Sequence, residues 1–193
     1  MAERQNPFRK YQLPLLLVAA LWMAFLVDWL LPYDAFGRLG LVPRDTSRLG
    51  GIVAMPLLHA NWEHLISNTI PLLVLSFLLV AAGRGWGTVA ALVALNGVLL
   101  WVGGRSGTVH GGASGLVYGL AGLLVARGVV EKRVVPLFVS AFVAVVYGGA
   151  LLSGILPTQP GVSWDGHLAG AVAGIAVAAS QKKKPDPQAQ GTL

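Results

Sequence analysis

The sequence contains no cysteine. Disulfides, thiolate metal sites and a cysteine nucleophile are therefore excluded, and any nucleophile must be a hydroxyl, an amine or water. Charge is also scarce: 11% of the 193 residues are Asp, Glu, Lys or Arg, against about 25% in soluble domains. An ordinary soluble domain is hard to reconcile with that figure. What is abundant is apolar, with 55% of residues in the hydrophobic set, 25 glycines and a mean hydropathy of +0.68. At about 20 residues per membrane span the chain has room for six or so. It reads as one compact, all-α, polytopic membrane domain.

The net charge of +6 would point to nucleic acid if the basic residues lined one face of a polar domain. They sit instead in short segments between apolar runs, where Lys and Arg report membrane orientation, and no nucleic-acid partner is expected. With the N-terminus in the cytoplasm, ten fall inside: Arg4, Arg9, Lys10, Arg84, Arg127, Lys132, Arg133, Lys182, Lys183 and Lys184. Four fall outside: Arg38, Arg44, Arg48 and Arg105. That asymmetry predicts a multi-pass protein of the cell membrane with both termini cytoplasmic.

Six hydrophobic segments are predicted, near residues 13–31, 62–82, 86–103, 114–130, 134–156 and 166–180. Together they make a membrane domain over residues 1–180, followed by a polar cytoplasmic tail at 181–193 that lacks apolar periodicity. The first segment is long and lacks an A-x-A cleavage site, so it reads as a retained span rather than a signal peptide. Between the first two spans lie about thirty residues, Pro32 to Asn61, long for a connection in so small a protein. Trp29, Tyr33 and Phe36 near its start and the GIVAMPLLH stretch at its end place it in the outer interface, or else it is a plain linker.

Spans two, four and six run in the same direction, so their N-terminal ends share one membrane depth. Near those ends sit His64 and Asn68, Ser114, and His167, nearly all the reactive polar groups of the apolar regions. Polar residues at membrane depth are costly and mark candidate sites. Counted from His167 to Ser180, the last span rises only about 21 Å, short of the ~30 Å hydrocarbon core. It must then begin within the membrane. Span four follows the Gly-rich GGRSGTVHGGA stretch, whose irregular backbone needs protein or water around it at that depth. Short fourth and sixth helices around an outward-open polar pocket are expected.

Small residues at Gly115, Gly119 and Gly122 on span four, and at Gly170, Ala171 and Gly174 on span six, would let the two helix backbones approach closely. Helical spacing puts His167 on the same face as Gly170, Ala171 and Gly174, so His167 and Ser114 could meet. A serine hydroxyl needs an adjacent base, and a neutral imidazole suits that task. His64 and Asn68 share a helical face, and with the backbone N–H at Ser114 they could serve as donors to an oxyanion. Each piece alone has a bland reading: GASG as a common small-residue string, either histidine as a satisfied packing residue. The combination is less common.

HANWEHLISN (His59–Asn68), GGASGLVY (Gly111–Tyr118) and GHLAGAVAG (Gly166–Gly174) closely resemble the rhomboid family of intramembrane serine proteases in order, spacing and host span. The resemblance covers about residues 10–180. It implies a serine endopeptidase with Ser114 as nucleophile and His167 as general base, without a third carboxylate. It implies an oxyanion hole formed by His64, Asn68 and the Ser114 N–H. Gly112 matches the leading glycine of the motif, Tyr118 the aromatic packed on the base, and His59 a buried polar partner ahead of the second span. The implied partners are transmembrane substrate proteins, cut near the outer end of their helices, within membrane lipid. No metal or cofactor is implied. Trp164, Phe138, Phe142 and Tyr147 are candidate members of a lateral gate between the fifth and second spans.

The chain departs from the family where many members carry a Trp-Arg pair ahead of the first motif histidine: Gly50 and Gly51 stand there, with Arg48 displaced. His110, next to the nucleophile, reads as a wetted loop residue or else a gate or pH sensor, and Asp165 as a loop residue exposed at the pocket mouth or else a group that tunes His167. An intramembrane metalloprotease is excluded because His59 and His64 are five apart and share no helical face. An aspartyl protease is excluded because it needs two such carboxylates within spans and Asp28 is the one aspartate there. The alternative from another class is a non-catalytic rhomboid-like binder of membrane proteins, which loss of the serine or the base would mark.

Overall fold

A computed structural model describes residues 11–30 and 34–181. Arg4, Arg9, Lys10, Pro32, Tyr33, the three tail lysines and the rest of the tail beyond Gln181 lie outside the described residues. Among the described residues, regular structure is helical apart from one antiparallel bridge between Leu41 and His110. The helices are α1 (Gln12–Leu30), α2 (Ala35–Leu39), α3 (Gly51–Ala54), α4 (Trp62–Ala81), α5 (Trp86–Gly103), α6 (Ser114–Glu131), α7 (Val134–Gly154) and α8 (Trp164–Ser180).

Five of them, α1, α4, α5, α6 and α7, are long and apolar enough to cross a membrane. α8 has 17 residues and rises about 26 Å. It begins one turn earlier than an origin at His167 implies, because Trp164, Asp165 and Gly166 are already helical and the His167 N–H donates to the Ser163 carbonyl. Asp165 lies in that first turn, where a carboxylate complements the helix dipole.

α6 is the central helix and α7 the peripheral one: 61% of the apolar window of α6 is buried, against 11% for α7. α8 packs most extensively on α6 and then on α5, α7 lies on α6, and α1 lies on α4. The α1–α4 contact is aromatic, with Trp22, Phe25 and Trp29 arranged around Trp62 at centroid distances of 4.6–6.2 Å. Trp22 Nε1 also donates to Thr69 Oγ1. α6 and α8 meet through glycines: a Cβ on Gly170 would strike the Gly115 carbonyl, and one on Gly174 the Gly119 carbonyl. Gly119 and Gly122 face the carbonyls of Gly170 and Ala171. The space beside Gly115 is filled by the Asn96 side chain of α5, so this residue serves two contacts. Lipid hydrocarbon offers no hydrophobic drive between helices, and close backbone approach supplies the dispersion contact that replaces it.

From Asp34 onward the long first connection is a folded structure docked on the C-terminal end of α5, and the linker reading is corrected. Arg44 donates to the Val102 and Gly104 carbonyls at 2.9 and 2.8 Å and also to Ser106 Oγ. Its own N–H bonds Trp101 O, and Trp101 Nε1 returns to Asp45 O. A cation at a helix C-terminus satisfies carbonyls that have no partner within the helix. Arg48 donates to the Gly37 carbonyl, and Gly51 abuts the Leu41 backbone so closely that a side chain would collide with it. The Gly50-Gly51 departure therefore belongs to a tightly folded loop. Arg44→Ala should lower stability by about 1 kcal/mol, discounted for its exposure. Thermal unfolding in micelles would read this, and an unchanged midpoint would contradict the capping role.

Candidate active site

Ser114 opens α6, and His167 stands one turn into α8. His167 Nε2 lies 2.9 Å from Ser114 Oγ, and Nδ1 lies 2.8 Å from the Gly154 carbonyl oxygen. A carbonyl can only accept, so Nδ1 carries the proton and Nε2 turns its lone pair to the serine hydroxyl. The Tyr118 ring stacks on the imidazole at 4.2 Å and 6°, and its hydroxyl donates to Ala150 O. The C-terminal end of α7 thus supplies both the acceptor that sets the tautomer and the anchor for the stacked ring. Gly154 was not among the residues singled out from the sequence, since a backbone acceptor has no side-chain signature. The trace it leaves is that a Cβ there would collide with the Tyr118 hydroxyl.

The backbone ahead of Ser114 is held from the first connection. The Gly112 N–H donates to Met55 O at 2.7 Å, and the Ala113 N–H donates to His59 Nε2 at 3.4 Å. His59 Nδ1 faces Leu57 O at 3.3 Å, so the same proton accounting leaves Nε2 as acceptor. His59 is 2% exposed and meets the His64 ring edge-on at 5.1 Å. Gly112 has φ +114°, and a Cβ on it would lie 2.6 Å from His64 Nε2. Only glycine satisfies both the left-handed backbone and the approach of that ring.

His64, Asn68, Ser114 and His167 line one cavity of about 530 Å³. Asn68 is buried and gives one amide hydrogen to the His64 carbonyl at 2.8 Å, leaving its second hydrogen for another acceptor. The first residues of α6 have no side-chain cap, so their N–H groups are available at the serine.

His110 and Asp165 are not wetted, which corrects both expectations: they are 3% and 7% exposed. Asp165 is satisfied by Arg105, through Nε at 3.1 Å, a terminal guanidinium nitrogen at 3.2 Å and the backbone N–H at 2.9 Å. The guanidinium lies over Trp164, 5.5 Å from the ring centroid, within cation–π range. His110 uses both nitrogens, Nε2 on Thr108 Oγ1 at 2.7 Å and Nδ1 on Ser163 Oγ at 2.6 Å. The connections preceding α6 and α8 are joined by this network. Of the suggested gate residues, Phe138 and Phe142 lie ~24 and ~18 Å back along α7 from Gly154. They do not border the serine–histidine pair, and Trp164 and Tyr147 are nearer.

A serine, an imidazole of fixed tautomer and inward-facing donors, on three helices in this order, match the motifs of one family. The chain belongs to the rhomboid family. The rhomboid domain model matches residues 46–183. Uncharacterized proteins of Mycobacterium tuberculosis and Mycobacterium bovis are each 41% identical over 186 residues, covering 90% of this chain and 75% of the relative. One from Mycobacterium leprae is 38% identical over 172 residues, covering 83% and 67%. As a rhomboid with several long apolar helices, the chain is a multi-pass membrane protein.

Burial holds the His59 pKa down, to about 4, with repulsion from His64 adding to the effect. Burial also lowers His110, against an upward pull from Asp165. In the unfolded chain both take up protons near the ordinary value of 6.5, while the folded protein resists. Stability contributed by these rhomboid loop histidines is therefore full above pH 6.5 and is lost as pH falls towards about 4. Unfolding midpoints recorded in micelles across that window should fall, and a midpoint that rises on acidification would contradict the assignment.

Proposed function

We propose that this rhomboid is an intramembrane serine endopeptidase that cleaves transmembrane substrate helices near their outer end. The observation that carries the reading is the 2.9 Å contact between His167 Nε2 and Ser114 Oγ, with Nδ1 committed to Gly154. Members of the family are in general serine intramembrane proteases. In this reading α8 completes a six-span bundle in the cell membrane, with α6 and α8 as its short helices. The ends carrying His64, Ser114 and His167 lie at the outer side, where the cavity opens to water. The membrane domain extends to residue 180, and the tail at 181–193 is cytoplasmic.

Ser114 Oγ attacks the scissile carbonyl carbon while His167 Nε2 takes its proton. The imidazolium that forms is steadied by the Gly154 carbonyl and by the face of Tyr118. Charge gathers on the carbonyl oxygen, where the Ser114 N–H, His64 and Asn68 donate to it; loss of one such donor costs about 10²–10³ in rate. On collapse the His167 proton passes to the departing amine, leaving an acyl-serine. A water entering through the outer cavity then loses a proton to Nε2 and attacks the ester; on collapse that proton passes to the departing Ser114 Oγ, which restores the serine and the neutral imidazole and releases the second fragment as its carboxylic acid. The partners are transmembrane protein substrates within the surrounding lipid.

A fluorophosphonate probe requires only an activated serine. Treated in micelles and in lipid, the protein should carry one adduct, on Ser114 by mass spectrometry, absent in Ser114→Ala and in His167→Ala. No adduct on folded protein at any pH between 6 and 9 (roughly the range in which a neutral imidazole acts as base) would contradict the protease reading and favour a non-catalytic binder.

A further inference from the structure

At the end of the bundle away from Ser114, about 26 Å along α6, two contiguous cavities of about 480 and 510 Å³ share Arg127, Glu131 and Arg133. The first is lined mainly by apolar side chains of α4, α6 and α7, including Leu78, Leu124, Val135 and Val139. The second is polar and reaches Arg84 in the α4–α5 turn and Gln181 at the end of α8. Arg127 is committed to Glu131 at 2.6 Å. Arg84 and Arg133 form no ion pair among the described residues, so three arginines against one glutamate leave two positive charges uncompensated. Gln181 donates through Nε2 to Thr88 Oγ1, while its Oε1 is buried without a partner among the described residues.

A buried acceptor without a donor and two unpaired guanidinium groups around a space of this size ask for a ligand that combines negative charge with a hydroxyl. The contiguous apolar half asks for a hydrocarbon chain on the same ligand. Basic pockets between transmembrane helices are suited to anionic headgroups, and guanidinium binds phosphate in a fork geometry. A free anion would leave the apolar half without an occupant, which selects a lipid as the source.

We propose that this double cavity binds an anionic phospholipid of the phosphatidylglycerol type. Its phosphate lies between Arg84 and Arg133, a headgroup hydroxyl donates to Gln181 Oε1, and an acyl chain lies between α4 and α7. Neither Ser114 nor His167 takes part, so the site stands or falls independently of the protease reading.

Native mass spectrometry of the full chain, released from micelles containing equal phosphatidylglycerol and phosphatidylcholine, reads the selectivity directly. The protein should retain phosphatidylglycerol in preference, and Arg84→Gln and Arg133→Gln should each lower the ratio about fivefold. Gln181→Leu should lower it as well. Lys132→Gln removes a charge at the same end without lining either cavity and should leave the ratio within about twofold. Retained phosphatidylcholine and an unchanged helical circular dichroism spectrum certify that each variant is folded. Equal retention of the two lipids by the unaltered protein would overturn the proposal. So would a loss in Lys132→Gln as large as in Arg84→Gln, which would mean diffuse surface charge, or an unchanged ratio in the arginine or glutamine variants. Displacement of phosphatidylglycerol by millimolar inorganic phosphate would make the ligand a free anion and overturn the lipid assignment.

Discussion

The backbones of α6 and α8 touch, and the geometry of the candidate site follows from that contact. Gly170 and Gly174 lie against the Gly115 and Gly119 carbonyls with no room for a methyl group. In hydrocarbon this approach is what holds two helices together, because removing apolar side chains from lipid gains little. It also sets chemistry. Ser114 lies one residue before Gly115, and His167 three before Gly170, so the register that seats the glycines also brings the hydroxyl to the imidazole. A serine and a histidine a few ångströms further apart would be two solvated or strained polar groups instead of a pair.

Around that contact, His167, Tyr118, His110 and Asp165 each have a partner of defined role, while Asn96 Oδ1 beside Gly115 is buried without one among the described residues. Gly154 fixes the His167 tautomer without introducing a second charge, which a carboxylate at that depth would do at high desolvation cost. Where a full charge is buried, at Asp165, it is answered by a bidentate arginine whose other face is open to solvent. Arg44 lies on the less basic side of the chain for a structural reason, since it caps the carbonyls ending α5. The two cavities at the far end are different in kind: of their three arginines, Arg84 and Arg133 form no ion pair among the described residues, and the occupant we infer comes from the membrane itself.

Much of this was legible in the sequence because membrane helices obey simple constraints of length and hydropathy. The apolar segments overlie α1 and α4 to α8, and the small-residue spacing identified the two helices that meet. Ser114, His167, His64 and Asn68 were legible because polar side chains are rare in such segments. What could not be read had no side-chain pattern to read. The Gly154 carbonyl and the α5 carbonyls capped by Arg44 are backbone groups. The burial of His110 and Asp165 depends on two loops far apart in sequence meeting, and only the fold brings Ser163 to one and Arg105 to the other. Phe138 and Phe142 were gate candidates through the family resemblance, and their distance from the serine–histidine pair along α7 follows from where that helix begins.

The most direct test of this account is to separate α6 and α8 slightly, at a distance from the pair. Gly174 is two turns from His167, and a methyl there would meet the Gly119 carbonyl and the Leu123 N–H, both rigid backbone. The rate at which a fluorophosphonate modifies Ser114 should fall about 100-fold in Gly174→Ala, with helical content unchanged, since displacements of about 1 Å cost that much in oriented reactions. Modification at the original rate in a folded Gly174→Ala protein would contradict the claim that this contact sets the site.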